Sequence, residues 1–326
     1  MSHFDAMVCT ALEGPDALER RRVERVPLKP HEVRVRVLAS GINFPDLLMT
    51  RGLYQFRPDP PFTPGLEVAG EIIEVGADTP RRQGERVCAS VALGGYAAEV
   101  IAAETALNPW PEGFSAAEAA SFYVTAATAW HGLVDRAAAK ADERLLVLGA
   151  GGGVGLAAVQ LGRALGLEVI AAARHPQRLR AATEAGATGA ILLDAPLRQT
   201  VDDLVGKRAI DVVFDPVGGK LAEDAAGCLA WGGRYLIIGF ASGSIPTLAF
   251  NRLLLAGYGA LGVRAGEHAR RYPEASKRGI AALLETAAHH DLRPKIGLEL
   301  PLSRAAEALG VLDRGEVVGK AVLVAD

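Results

Sequence analysis

The chain has 326 residues, half of them hydrophobic and few aromatic, with a formal net charge of −3. That length accommodates two domains, each with its own core built mainly from alanine, leucine and valine. The mild negative charge argues against nucleic acid or an anionic membrane as partner, and no apolar run free of glycine and charge reaches membrane-spanning length.

Near the start, Arg20-Arg21-Arg22 is flanked by Glu19 and Glu24 and fits a solvated face. The stretch Met1-Ser2-His3-Phe4-Asp5 lacks the basic-then-apolar pattern of a secretory signal. Three cysteines, Cys9, Cys88 and Cys228, stand too far apart for a disulfide framework or a metal cluster. The expected location is therefore the cytoplasm.

Residues 1–110 carry a β pattern. Val33, Val35 and Val37 alternate with Arg34 and Arg36, as a half-buried strand requires. Further strands are predicted at Glu67–Val75, Glu85–Ser90 and Tyr96–Ala102, punctuated by glycines, and short strands so spaced suggest a small barrel. The polar stretch from Gly41 to Tyr54 is expected to be a loop. Ser115 with Glu118 three residues on forms a capping box, with Phe114 as its hydrophobic staple, and a helical region is predicted through Arg136. From Glu143 onward strand and helix alternate, which predicts a doubly wound parallel sheet with right-handed crossovers. A helix at Pro273–His290, strands at Lys295–Leu300 and Lys320–Val324, and a helix from Ser303 are assigned back to the first domain. The expected division is 1–121 with 267–326, and 122–266.

The second domain is organised around Leu145–Leu156. Four apolar residues lead into Gly149-Ala150-Gly151-Gly152-Gly153-Val154-Gly155 and then a helix, with a second strand (Glu168–Ala173) about 20 residues on. Glycines permit the tight turn, the approach of backbone to phosphate and close helix–strand packing, and the amides of the new helix face an anion. Gly149, Gly152, Gly153, Val154 and Gly155 are thus expected at a dinucleotide. Ala150 departs from the common fingerprint, and Leu156 stands where a P-loop needs lysine.

The second strand ends in Ala173-Arg174-His175-Pro176-Gln177-Arg178, with no carboxylate to hold a ribose 2′-hydroxyl. Arg174, His175 and Arg178 instead suit a 2′-phosphate and favour NADPH over NADH, although a solvated helix start explains the same arginines. Ligands bind beyond the carboxyl ends of the strands, which places Val217, Gly239, Phe240 and Ala241 at the cofactor.

In these residues the chain resembles the medium-chain dehydrogenase/reductase superfamily, and within it the zinc-free, zeta-crystallin-like quinone oxidoreductases. The motifs are Ala39-Ser40-Gly41-Ile42-Asn43-Phe44-Pro45-Asp46, Arg51-Gly52-Leu53-Tyr54, Pro64-Gly65-Leu66-Glu67, Gly84-Glu85-Arg86-Val87, Gly95-Tyr96-Ala97-Ala98-Glu99, the Gly149–Gly155 turn and Gly319-Lys320. The resemblance implies an α/β protein with a GroES-like β-barrel domain and a Rossmann domain, the active site lying in the cleft between. The zinc-dependent branch would have ligands where this chain has Asn43, Leu66 and a residue near Val124, and leucine and valine cannot ligate zinc. No metal is expected.

The resemblance further implies that Asn43 and Thr128 lie near the nicotinamide, that Tyr54 stands on the substrate side, and that Val217, Phe240 and Lys320 contact the cofactor. Asn43 serves equally well as a loop cap, Tyr54 as a core tyrosine, and Asp46 better as a loop anchor than as a base. The activity implied is metal-free hydride transfer from NADPH to a quinone. The alternatives are reduction of an enone or enoyl-thioester double bond, or NADPH binding without turnover. The family also implies a homodimer, with Tyr258–Val263 as the edge strand to be paired.

Overall fold

The valine alternation at 33–37 lies within a longer strand, Glu32–Ile42, the spine of the first sheet. It pairs antiparallel with Glu67–Val75, Glu99–Ala103 and Lys320–Val324. Arg86–Ser90 and then Leu107–Pro109 extend the sheet on one side, and Ile296–Pro301 extends it on the other, parallel to Lys320–Val324. Val33, Val35, Val68, Ile72 and Val87 fill one core of this unit. The computed structural model describes residues 3–326; Met1 and Ser2, the start of the stretch that lacks a signal pattern, lie outside the described residues.

Two elements of this half differ from expectation. His3–Cys9 and Leu18–Glu24 form an antiparallel hairpin that the sequence did not announce. Exposed charges from Glu19 to Arg22 hide its alternation, and Leu18 alone among its first five residues is buried. The expected loop after Gly41 contains a helix, Phe44–Thr50. Pro45 sits in its first turn, where a missing N–H costs nothing, and the Asp46 carboxylate accepts the Asn43 N–H at 2.8 Å.

The second sheet has six parallel strands in the order 189–192, 168–173, 144–148, 210–215, 229–237 and 259–262. The order reverses direction between strands Arg144–Leu148 and Ile210–Asp215, which makes that point the ligand-binding switch of a doubly wound sheet. Helices Gly153–Ala164, Pro176–Glu184 and Leu197–Val205 lie where the alternation predicts them. The capping box forms too: Glu118 accepts the Ser115 N–H at 2.8 Å, and Ser115 Oγ accepts the Glu118 N–H at 3.2 Å. Phe114 packs edge-on against Phe122.

The compact units are 3–124 with 293–326, and 125–292. Helix Pro273–His290 therefore sits with the parallel sheet and not with the barrel, unlike the expected division at 266. The reason is its packing. Gly279 lies against the indole of Trp130, and His268, in the preceding helix Ala265–Arg271, stacks on His131. A GroES-like barrel unit and a Rossmann unit are both present. Among the described residues, no helix is long and apolar enough to cross a membrane.

Candidate functional site

In the second unit, the turn after Leu148 is closed by backbone. Gly149 has φ +60°, a left-handed conformation that glycine adopts without strain. A Cβ on Gly155 would lie 2.4 Å from Gly149 O, and one on Gly151 only 2.3 Å from Arg178 Cβ. Gly152 is the N-cap of helix Gly153–Ala164 and offers no side chain to its first turn. The amides of Gly153, Val154 and Gly155, which lack intrahelical partners, thus present a bare, dipole-favoured site for an anion.

The next strand ends complete this edge. Asp215 Oδ1 accepts the Val217 and Gly218 amides at 2.7 and 2.9 Å, and its Oδ2 accepts the Tyr235 hydroxyl at 2.5 Å. The locked loop rests Val217 on Gly149 and brings Gly218 against Phe240. Gly239 and Ala241 donate their amides to Asp215 O and Pro216 O. Gly149, Gly152, Gly153, Val154, Gly155, Val217, Gly239, Phe240 and Ala241 therefore gather at one end of the sheet. The Asp215–Tyr235 clamp was not foreseen; its one sequence signal is an aspartate ending an apolar strand before Pro-Val-Gly-Gly.

Arg174 and His175 are exposed at the end of strand Glu168–Ala173, with His175 as N-cap of helix Pro176–Glu184. Arg178 is partly buried beside Gly151. Burial, and then the charge of Arg174 nearby, hold the Arg178 guanidinium below its ordinary pKa. Two guanidinium groups thus crowd one another next to the glycine turn, and an anion there relieves the repulsion.

In the first unit, strand pairing assembles a buried polar cluster. Ala321 is opposite Ile42 and Glu67 is opposite Gly41, so Lys320, Asn43 and Glu67 meet across three adjacent strands. The Lys320 ammonium donates to Ile42 O, Asn43 Oδ1 and Glu67 Oε1 at 2.8, 2.7 and 2.8 Å. Asn43 Nδ2 donates to Glu67 Oε1 at 2.9 Å, and the Val124 amide donates to Glu67 Oε2 at 3.1 Å. Lys320 and Glu67 are 4% and 2% exposed, so the ion pair is sealed from water. Gly41 is needed beside it, because a Cβ there would lie 2.1 Å from Ala120 O and 2.6 Å from Glu67 Oε1.

Beneath this cluster, Asp46 Oδ2 accepts the Asn43 amide and the Tyr96 hydroxyl, the latter at 3.1 Å, while Oδ1 is buried with no partner among the described residues. Complete burial pushes the Asp46 carboxyl up to about 7 and holds the Tyr96 hydroxyl well above its ordinary value.

In this structure the Lys320 ammonium makes three hydrogen bonds within the first unit, one of them to Asn43 Oδ1. Asn43 is the N-cap residue of Phe44–Thr50, in a capping box with Asp46, and its side chain also reaches Lys320 and Glu67. Tyr54 packs half-buried on the cluster containing Leu47 and Met49. Thr128 is half-buried on helix Ala116–Trp130 and belongs to the second unit. A zinc ion does not fit at the barrel cluster. Leu66 and Val124 have no donor side chains, and Asn43 and Glu67 are already engaged by a cation.

Comparison with known proteins matches residues 29–131 to the alcohol dehydrogenase GroES-like domain and residues 153–280 to the zinc-binding dehydrogenase family. Quinone oxidoreductase-like protein 2 of Bos taurus is 34% identical over 98% of this chain and 92% of its own length. Human quinone oxidoreductase is 31% identical over 95% of this chain and 94% of its own. The crystal structure of Thermus thermophilus quinone oxidoreductase, also solved with NADPH, superimposes with a TM-score of 0.85 at 36% identity, covering 98% of this chain and 99% of that one.

Proposed function

Because the chain belongs to the zinc-free quinone oxidoreductase group of the medium-chain dehydrogenase/reductase superfamily, we propose that it is an NADPH-dependent, metal-independent quinone oxidoreductase. The observation that carries this reading is the Lys320–Glu67–Asn43 cluster, where an ammonium holds the polar groups that a catalytic metal would need. NADPH supplies a hydride from its nicotinamide ring, and a quinone accepts it without a Lewis acid.

The protein's part is binding and orientation. The amides of Gly153–Gly155 hold the pyrophosphate, Arg174 and Arg178 hold the 2′-phosphate with His175 beside it, and Val217, Gly239, Phe240 and Ala241 border the nucleotide. Asn43, fixed by Lys320 and Glu67, orients the nicotinamide end together with Thr128. Tyr54 offers a hydrogen bond on the acceptor side. The protein binds a small molecule and works as a homodimer. Strand Gly259–Gly262 is the edge of the parallel sheet, and Trp231, Phe250, Leu254 and Leu255 on the same unit are largely exposed, a surface suited to burial against a second copy.

The test is NADPH oxidation against a panel of quinones, enones and enoyl thioesters, run with and without a chelator. Turnover with quinones that survives chelation is expected. Faster reduction of enones or thioesters, or no turnover with any acceptor, overturns the quinone reading. Sedimentation as a monomer at micromolar concentration would overturn the dimer.

A further inference from the structure

We infer that His131, Asp135 and His268, all in the second unit, form a binding site for a divalent cation of the zinc class. One ring nitrogen from each histidine and a carboxylate oxygen of Asp135 lie within 4.8 Å of one another. His131 and Asp135 belong to a single π-helical turn, His131–Arg136, that continues helix Ala116–Trp130. Such turns are rare and recur at functional sites. Their four-residue separation sets both side chains on one side of the turn, with His131 Nδ1 2.8 Å from Asp135 Oδ2. His268 arrives from helix Ala265–Arg271, and its ring stacks on that of His131 with centroids 4.3 Å apart.

Several features suit an ion. In the empty site Asp135 Oδ2 is hydrogen-bonded to His131 Nδ1 at 2.8 Å, so an ion with bonds of about 2.1 Å requires the half-exposed Asp135 to open to about 3.4 Å and the His268 ring to turn out of its stack. Two imidazoles and a carboxylate are a donor set shared by zinc, cobalt and nickel, and three protein ligands leave a position for water. His131 is buried, and the adjoining Gly132 lies against Phe214 and Leu236, which fixes the turn. Asp135 reaches solvent and provides the way in. The nearby carboxylate Glu267 is occupied by Arg264, Arg270 and Arg271, so it offsets their charge and does not compete for the ion. The sequence predicts no metal because the two histidines are far apart in the chain and no spacing motif links them.

Chelator-stripped protein titrated with Co²⁺ by calorimetry and visible absorption tests the site. One Co²⁺ per chain is expected, bound in the micromolar range and displaced by Zn²⁺. Asp135→Asn and His268→Gln should each weaken binding at least about tenfold, with melting temperatures in the absence of metal close to wild type. His289→Ala/His290→Ala, which removes an adjacent histidine pair, should leave binding unchanged. No saturable binding, binding that survives both site substitutions, or binding lost with the His289/His290 pair overturns the assignment.

Discussion

The two polar regions of this protein solve opposite problems. In the barrel unit, Lys320, Glu67, Asn43, Asp46 and Tyr96 are buried and almost fully paired with one another. In the parallel-sheet unit, Arg174 and His175 are exposed beside a helix N-terminus whose cap has no side chain. The first region satisfies its own polar groups by mutual hydrogen bonding. The second sets mutually repelling guanidinium groups next to bare amides, and an anion suits both. Rigid support needs paired, buried groups, and anion binding needs exposed, unneutralised charge.

The comparison breaks most severely if the buried cluster contributes little to stability. Lys320→Met leaves the Glu67 carboxyl buried without its cation, a change that should cost about 3–5 kcal/mol in urea unfolding. Adding Glu67→Gln should recover much of that loss, because the stranded carboxyl is then gone. A single-mutant loss below about 1 kcal/mol would mean that the pair is solvated and not sealed.

Asp46 gives the next largest effect, and its sign is fixed by burial. Its folded pKa of about 7 lies above the ordinary 3.8, so the folded state holds a proton that the unfolded state releases. The associated stability is present below pH 3.8 and is lost as pH rises to about 7, a decline on the order of 2–4 kcal/mol. The unpartnered Oδ1 agrees, since a lone buried carboxylate oxygen favours the neutral acid. Asp46→Asn should flatten this part of the stability–pH curve and compare better with wild type at pH 8 than at pH 5. An unchanged slope between pH 4 and 7 would show that Asp46 is ionised throughout.

The regions also differ in how far the sequence exposes them. The glycine turn, its helix and the arginines are contiguous in the chain, and each residue's purpose follows from a local constraint of turn, helix start or strand end. The buried cluster joins Lys320 to residues 253 and 277 positions away, and strand register alone brings them together. The motifs therefore marked Asn43 and Lys320 as functional, while Lys320's actual partners emerged only from the pairing of Ala321 with Ile42. The helix Phe44–Thr50 was hidden for another reason: Asn, Pro and Asp signal a turn and a helix start equally well. The π-helical turn and His268 carried no periodic signal.

In the parallel-sheet unit, Arg174→Ala should weaken NADPH about 10- to 100-fold while NADH binding stays nearly constant, the worth of one charge-assisted contact to phosphate. Arg178→Ala should act in the same direction. Gly151 already abuts Arg178 Cβ, which alanine retains, so the loss reports the guanidinium rather than the packing. Equal losses for both nucleotides would remove the 2′-phosphate from this site.

Salt produces the smallest effect and separates the two regions in one experiment. The Debye length falls from about 10 Å at 0.1 M to about 3 Å at 1 M, so an exposed contact is screened while a sealed one is not. Arg174 is exposed, and the preference for NADPH over NADH should shrink a few-fold across that range. Lys320 and Glu67 are sealed, and the stability lost in Lys320→Met should be nearly the same at both ends of it. A preference that ignores salt would place the 2′-phosphate in a dry pocket away from Arg174. A Lys320→Met cost that falls with salt would mean that water reaches the ion pair. Both regions would then be solvated sites of one kind, and Asn43 would lack the fixed support from which its orienting role was derived.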